Sequence, residues 1–361
     1  MLTFSLDIGT ALRHFSLIFG LSIGSFLIVA LLAPSYHRFL KAFRLKKKLR
    51  QETADGKSAT IFLKLHKDKE GTPTMGGVLI WGTVALVILL SHVVAPLAQK
   101  LGISRFSLFN RNETYLPVFT LLATALLGLV DDFLNITGEK TKGLRVKPKF
   151  LWLTLFGILG GYWFHYKLGF DSFHIPGLGN FTIGAWYILL FTFVIVASAN
   201  AVNITDGLDG LAGGLVVISF VALGIIAYLQ GLILLTAFCS LIVGATLAFL
   251  WFNIPPALFY MGDTGALALG ATMGVIAMLT NSVLILPFVA FVFVIEAFSS
   301  LIQLIWKKWF GKKIFLIAPL HHHFEARGWP EEKVVMRFWI VGGFTAVLGV
   351  ILEFLSLVSG A

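Results

Sequence analysis

The sequence predicts an all-α, polytopic integral membrane protein with about ten transmembrane helices. Of its 361 residues, 57% are hydrophobic, and the mean hydropathy is +0.89, far above that of a soluble globular domain. Runs of roughly 20 apolar residues recur along the chain, and each can cross a hydrocarbon core of ~30 Å as a helix. Both observations predict a single transmembrane domain that covers residues 1–361.

The predicted spans follow one another with polar connections. Residues 16–33 form the first span, which lacks a small-residue cleavage site and is therefore predicted to be an anchor rather than a removed signal peptide. The other predicted spans are 75–95, 114–130, 150–166, 183–199, 211–229, 232–252, 265–280, 284–306 and 337–357.

Lysine and arginine determine the predicted orientation. Segments 34–72, 131–149 and 307–337 together hold 23 of the 28 basic residues. Basic residues favour the cytoplasmic side, so these segments are predicted to be cytoplasmic loops, and an even number of spans then places both termini in the periplasm. The net charge of +10 follows from this signal and from anionic lipid headgroups, and nothing indicates binding to nucleic acid.

Acidic residues are rare, yet several lie where predicted spans begin or end. Asp131 and Asp132 end the third span, Asp206 and Asp209 follow the fifth, and Asp263 precedes the eighth. By the span count, all of them face the cytoplasm. Adjacent carboxylates are unfavourable unless positive charge offsets them, and Mg²⁺ takes oxygen ligands while keeping waters and phosphates in its shell. The pattern therefore indicates phosphoryl chemistry at the cytoplasmic face.

Plainer explanations exist for the same residues. Asp131 and Asp132 could be a solvated helix end paired with nearby lysines, and Asp263 could be a helix N-cap. Glu296 lies inside the ninth span, where a charge is costly and is normally functional or paired. The sequence does not name its partner.

The segment from Asn203 to Asp209 is more specific. Asn203, Asp206 and Asp209 are spaced three residues apart, which predicts one shared face if the segment is helical. Gly207 and Gly210 permit close backbone approach. The next helix begins here, and its free N–H groups favour a phosphate or a uracil carbonyl.

Three consecutive histidines lie in the last basic loop. His321, His322 and His323 cannot easily direct all three rings at one metal ion, so we predict that one or two of them donate hydrogen bonds or contact phosphate. Lys69 and Lys149 flank the acidic motifs and suit anionic phosphate oxygens.

These residues, in this order, resemble the polyprenyl-phosphate N-acetylhexosamine-1-phosphate transferase superfamily. The resemblance covers essentially the whole chain. The aspartate motifs look like features of the whole superfamily, whereas two stretches favour its members that use UDP-N-acetylmuramoyl-pentapeptide: Thr72-Pro73-Thr74-Met75-Gly76-Gly77 and Pro319-Leu320-His321-His322-His323-Phe324-Glu325. The chain departs from the usual pattern at Tyr260, where the family has Phe, and at Ala266, where it has Ser.

The resemblance implies a multi-pass protein of the bacterial inner membrane, surrounded by membrane lipids, with Mg²⁺ as cofactor and a homodimer as its assembly. Undecaprenyl phosphate would attack the β-phosphorus of UDP-N-acetylmuramoyl-pentapeptide, giving the lipid-linked precursor and UMP. A covalent aspartyl intermediate is the alternative route. Direct attack is favoured because the acceptor is already an anionic nucleophile.

The resemblance also implies roles for individual residues. Asp263, Asp131 and Asp132 would hold the metal or activate the lipid phosphate, Asn203 and Asp206 would line the catalytic cleft, and His322 and His323 would lie at the substrate side. Tyr260 would stack on uracil. The residues implied to contact nucleotide, phosphates or sugar are Lys69, Thr74, Lys149, Gly207, Leu208, Asp209, Asn253, Tyr260 and His321.

Two other functions compete with this interpretation. A sister enzyme that transfers N-acetylglucosamine-1-phosphate from UDP-N-acetylglucosamine to undecaprenyl phosphate shares the aspartate motifs, and the triple-histidine segment argues against it. An ion-coupled transporter fits the many spans and Glu296. Transporters, however, bind near the bilayer midplane between inverted repeats, whereas these acids lie at one interface and no internal repeat is detected.

Overall fold

The computed structural model describes residues 8–46, 71–100, 107–109, 113–137, 144 and 146–359. Lys69 and the middle of the first predicted basic loop lie outside these residues. The helices are α1 (Ile8–Ala42), α2 (Gly77–Lys100), α3 (Tyr115–Thr137), α4 (Val146–Leu168), α5 (Tyr187–Thr205), α6 (Leu211–Leu229), α7 (Ile233–Asn253), α8 (Asp263–Leu279), α9 (Leu286–Val289), α10 (Phe291–Phe310), α11 (Leu320–Ala326) and α12 (Glu331–Ser359).

A helix lies at the position of every predicted span. Within the described residues, seven helices are long and apolar enough to cross a membrane, namely α1, α2, α3, α5, α6, α7 and α12. Helix α8 is apolar but has only 17 residues. The predicted span 284–306 is divided at Ala290 into α9 and α10. The chain is therefore a mostly helical, multi-pass membrane protein, while the number of ten spans and the periplasmic termini remain predictions.

The all-α prediction is wrong at one connection. Strands β1 (Ser172–Ile175) and β2 (Gly179–Thr182) form an antiparallel hairpin, in which Phe173 pairs with Phe181. Gly177, with φ of +79°, lies in the turn between the strands, where its missing Cβ permits the tight reversal. The hairpin joins α4 to α5 and was predicted only as a connection between spans.

The three predicted basic loops are partly helical. Helix α1 continues through Pro34 to Ala42, α3 continues to Thr137, and α4 begins at Val146. The last predicted loop contains the end of α10, all of α11 and the start of α12. Lysine and arginine are good helix formers, so a basic segment that leaves a membrane need not leave the helix. As a result, the adjacent acids Asp131 and Asp132 lie on α3.

Helix α8 occupies the centre of the bundle. Residues Thr264 to Met278 are all buried, and the helix packs against α3 and α5 and also contacts α2 and α6. Its small residues allow backbones to approach closely. A Cβ at Gly128 of α3, for example, would overlap the carbonyl group of Asp263.

The packing of α5 against α8 determines where the polar motifs lie along the length of the bundle. Gly270 lies against Ser198 and Ala199, and Gly274 lies against Ile195, so the two helices are antiparallel. Continuing this register to the first residue of α8 brings Asp263 level with the residue that follows α5, Asp206. The fold thus gathers two separated acidic motifs at the same end of the bundle.

Candidate active site

Lys149 joins two carboxylates that come from different helices. Its Nζ forms ion pairs with Oδ2 of Asp131 and with Oδ2 of Asp263. The other oxygen of Asp131 accepts the backbone N–H of Leu144. The side chains of Lys149 and Asp263 are 15% and 16% exposed, so solvent reaches this contact. The two carboxylates are directed at one point, and a cation stabilises both of them there.

Asp132 has a different role from its neighbour. Its carboxylate oxygens accept the backbone N–H groups of Asp263 at 3.2 Å and Thr264 at 3.0 Å. The first N–H groups of a helix lack intrahelical partners, and negative charge is favoured at that end. Asp263 is therefore the first residue of α8 rather than its N-cap, and Asp132 on α3 supplies the cap. This contact fixes Asp263 beside α3.

Two of the three predicted metal ligands fit a magnesium site. Asp131 and Asp263 offer two carboxylate oxygens at one point, and Mg²⁺ is usually bound through one or two carboxylates plus waters and phosphates. Each oxygen of Asp132 accepts one backbone hydrogen bond, so this side chain holds the start of α8, and its role as a third metal ligand stays a prediction. Across the part of the chain that the structure describes, no three His, Cys, Asp or Glu side chains are grouped as a metal site.

Thr74 lies beside this cluster with a free hydroxyl. The segment around it pairs with the segment before α8 through hydrogen bonds from the Tyr260 N–H to the Pro73 carbonyl (2.8 Å) and from the Gly76 N–H to the Tyr260 carbonyl (2.8 Å). Thr74 is buried, and its Oγ1 has no hydrogen-bond partner. A Cβ at Gly262 would contact both that Oγ1 and the carboxylate of Asp132. The buried hydroxyl is therefore held next to the cap of α8.

Asp209 and Asn253 hold the turn before α6 in place through hydrogen bonds. Asp209 accepts the N–H of Ala257 at 3.0 Å, and its own N–H donates to Glu331 at 2.7 Å. Asn253 accepts the N–H of Gly210 at 3.0 Å. Both side chains are buried. The structure shows these two predicted substrate contacts holding backbone in place.

The prediction that Asn203, Asp206 and Asp209 share one helical face is wrong. Helix α5 ends at Thr205, and Asp206 is its C-cap with a ψ of 57°. The residues up to Gly210 form a turn rather than a helix, because glycines favour non-helical backbone there. Asn203, Asp206 and Gly207 are half-buried, Leu208 is buried, and Tyr260 is half-buried.

The three histidines lie in different environments. His321 is wholly buried, with its Nδ1 at 3.0 Å from Oε2 of Glu296. This contact identifies the partner of Glu296 that the sequence could not name. His322 is also buried, and its Nδ1 lies 2.6 Å from Oε2 of Glu325. Each of these rings is therefore oriented by its own carboxylate.

The side chain of His323 is the most exposed of the three histidines. Its Nδ1 accepts the backbone N–H of Leu316 at 3.2 Å. Partial burial and then the positive charge of Arg327 lower the pKa of the His323 imidazole below its ordinary value. An unprotonated Nδ1 is what the hydrogen bond requires, so the ring is neutral near pH 7.

Sequence reasoning missed Glu331, which holds the Asp209 backbone. Glu331 begins α12 directly after Trp329 and Pro330, so its sequence signal is that of an acid in the first turn of a helix. Its contact with Asp209 joins residues 122 positions apart. No local pattern predicts such a contact.

Comparison with known families first defines a class of membrane-embedded transferase. The family model described as "Glycosyl transferase family 4" matches residues 114–281, which carry Asp131, Asp132, Lys149 and Asp263. A second model, described as "Phospho-N-acetylmuramoyl-pentapeptide-transferase signature 1", matches residues 69–80, which include Thr74.

Curated relatives narrow the class to one family. A phospho-N-acetylmuramoyl-pentapeptide-transferase of Geobacillus sp. (strain WCH70) is 40% identical over 331 residues, covering 91% of this chain and 95% of the relative. Proteins of the same name from Chloroflexus aggregans and Bacillus subtilis are each 38% identical, covering 91% of this chain and 88% and 95% of the relative, respectively. The chain belongs to the phospho-N-acetylmuramoyl-pentapeptide-transferase family, and the resemblance inferred from its motifs is confirmed.

Proposed function

We propose that the protein transfers phospho-N-acetylmuramoyl-pentapeptide from its UDP-linked donor to undecaprenyl phosphate, releasing UMP, at the cytoplasmic face of a bacterial inner membrane. The observation that carries the proposal is the ammonium group of Lys149 between Asp131 and Asp263, at one end of a membrane bundle. The names of the relatives support the identity of the transferred group.

The charges of this cluster suit a reaction between two anions. Phosphoryl transfer depends mainly on positioning and on neutralising negative charge. Lys149 is a fixed cation near solvent, and its attraction for phosphate oxygens would offset its pairing with the carboxylates. Asp131 and Asp263 would hold Mg²⁺, which supplies charge neutralisation and orientation of the reacting phosphates when bound.

Direct attack requires little further chemistry from the side chains. A phosphate oxygen of undecaprenyl phosphate forms a bond to the β-phosphorus of the donor, and the bond from that phosphorus to the bridging oxygen breaks. The electron pair leaves on UMP. Because the attacking oxygen is already anionic, no hydroxyl has to be deprotonated. We therefore assign Asp131 to charge organisation rather than to a covalent intermediate.

The uridine half of the donor would lie towards the turn after α5. Asn203, Asp206, Gly207 and Leu208 would line that side, and the half-buried ring of Tyr260 would stack on uracil. The buried hydroxyl of Thr74, which has no partner, would donate to a phosphate oxygen. His322 and His323 would lie towards the sugar, and Lys69 would contact the nucleotide.

The test is release of UMP by purified protein in detergent with undecaprenyl phosphate and Mg²⁺. UDP-N-acetylmuramoyl-pentapeptide and UDP-N-acetylglucosamine are compared side by side, with EDTA as the control. We expect UMP from the muramoyl donor alone, and only without EDTA.

The other outcomes contradict the proposal in different ways. UMP from the glucosamine donor alone would place the protein with the sister transferases. UMP release that resists EDTA would exclude the divalent ion. No UMP from either donor, with folded protein, would reject the transfer reaction, and substrate flux into liposomes without a lipid-linked product would then support a transporter.

A further inference from the structure

Glu296 and His321 form a pair joined by two hydrogen bonds in the interior of the protein. Both residues are 0% exposed. One carboxylate oxygen of Glu296 lies 3.0 Å from Nδ1 of His321, and the other accepts the backbone N–H of the same residue at 3.0 Å. Because Glu296 is on α10 and His321 is on α11, this double attachment fixes the position and the ring orientation of the histidine.

The pair also determines which ring nitrogen carries a proton. A carboxylate oxygen accepts hydrogen bonds, so the contact with Oε2 of Glu296 places a proton on Nδ1 of His321, and Nε2 of a ring that carries one proton is then a bare acceptor. That Nε2 is buried and has no hydrogen-bond partner. It faces Gly207, where a Cβ would overlap it. The unprotonated edge of the ring therefore lies against the backbone of the turn between α5 and α6.

We propose that Glu296 is a positioning residue for the transfer reaction, an inference that rests on the function proposed above. It holds His321 as the Nδ1-protonated tautomer, whose bare Nε2 packs against Gly207 and sets the turn that carries Asp206 and Asp209. A bare acceptor does not hydrogen-bond an anionic phosphate oxygen. His321 is therefore assigned to placing the turn, and not to a contact with a phosphate oxygen.

Glu296→Gln separates this role from simple space filling. Glutamine has the same shape, and its oxygen can still accept the backbone N–H of His321. Its amide nitrogen, however, would donate to Nδ1 and move the ring proton to Nε2, against Gly207. A buried carboxylate that fixes a histidine tautomer is not replaceable by its amide.

The experiment measures kcat for UMP release and the histidine tautomer in ¹⁵N-histidine-labelled protein by NMR, with His321→Gln assigning the signal. We expect Nδ1 protonation in the wild type, Nε2 protonation in Glu296→Gln, and a kcat lower by roughly 10- to 100-fold. The matched control is Glu353→Gln, which changes another buried glutamate at the far end of the bundle and should leave kcat unchanged.

Three results would overturn the proposal. One is Nε2 protonation of His321 in the wild type, which can be read even if Glu296→Gln fails to fold. Another is wild-type kcat in a folded Glu296→Gln variant. The third is an equal loss of kcat in Glu353→Gln. If the wild type released no UMP, the proposed function would fail by itself, while the NMR measurement would still decide the tautomer.

Discussion

The two ends of the bundle both contain acidic side chains, but the partners of these acids differ. At one end, Asp131 and Asp263 share the ammonium group of Lys149 close to solvent. At the other end, Oε1 of the buried Glu353 accepts an N–H from the amide of Gln230 at 2.9 Å. The same amide donates to the carbonyl of Thr280, just beyond the end of α8, at 2.8 Å.

The far end continues as a network of hydrogen bonds. The backbone N–H of His174 in the hairpin donates to Asn281 at 3.1 Å, and Nε2 of its ring lies 2.6 Å from the hydroxyl of Ser356 on α12. These hydrogen bonds join the hairpin to the residue after α8 and to α12. Concentrated charge with access to solvent is instead typical of functional sites. We therefore assign the chemistry to the Lys149 end of the bundle and structural support to the Glu353 end.

The largest expected effect comes from Asp263→Asn. The amide keeps the shape of the side chain but removes the charge that faces Lys149 and the metal position, so kcat for UMP release should fall by on the order of 1000-fold. Circular dichroism should show an unchanged helix content. Activity within tenfold of the wild type would show that Asp263 does not organise the reaction.

Replacing Lys149 should produce a large but different effect. Lys149→Met leaves two carboxylates without their counter-ion, so we expect kcat to fall by about 100-fold. The unpaired carboxylates should also attract a divalent ion more strongly. Mg²⁺ should therefore raise the Tm of this variant more than that of the wild type, as measured by thermal unfolding in detergent. An equal or smaller Mg²⁺ shift would contradict the shared-cation arrangement.

The adjacent acids should separate into two roles. Asp132→Asn weakens the cap of α8 and should lower the free energy of unfolding by about 1 kcal/mol. Its loss of kcat should be smaller than that of Asp131→Asn. Asp131→Asn should lower kcat more and stability less, because its carboxylate faces Lys149. Parallel denaturation and UMP assays of both variants test the division, and the reverse ranking would contradict it.

The smallest expected effect is that of Glu353→Gln. An amide can still accept from Gln230, so the free energy of unfolding should change by about 1 kcal/mol or less, and UMP release should stay within twofold of the wild type. A loss of activity comparable to that of Asp263→Asn would remove the distinction between the two ends.

Sequence patterns predicted the positions of the helices because apolar runs of membrane-spanning length are unambiguous. They predicted that Asp131, Lys149 and Asp263 lie at one end because the charged motifs terminate the spans. They did not predict that Asp132 caps α8, since that bond depends on the close approach of α3 at Gly128. Long-range pairing, not local pattern, decides such contacts.

The remaining errors have similar physical causes. The helical face predicted for Asn203 to Asp209 neglected the tendency of Gly207 and Gly210 to end a helix. The partner of Glu296 could not be found from sequence, because His321 lies 25 residues away on a helix inside a predicted loop. The hairpin of β1 and β2 was missed because it lies in a short connection between two much stronger helical signals.

Locating a divalent ion in the protein tests directly whether Asp131 and Asp263 together form a metal site. Crystals soaked with Mn²⁺ and the UDP-linked donor would reveal the ion by anomalous scattering. We expect a peak within coordination distance of both Asp131 and Asp263, with Asp132 still bonded to the start of α8. A peak away from both carboxylates, or one that persists unchanged in Asp263→Asn, would contradict it.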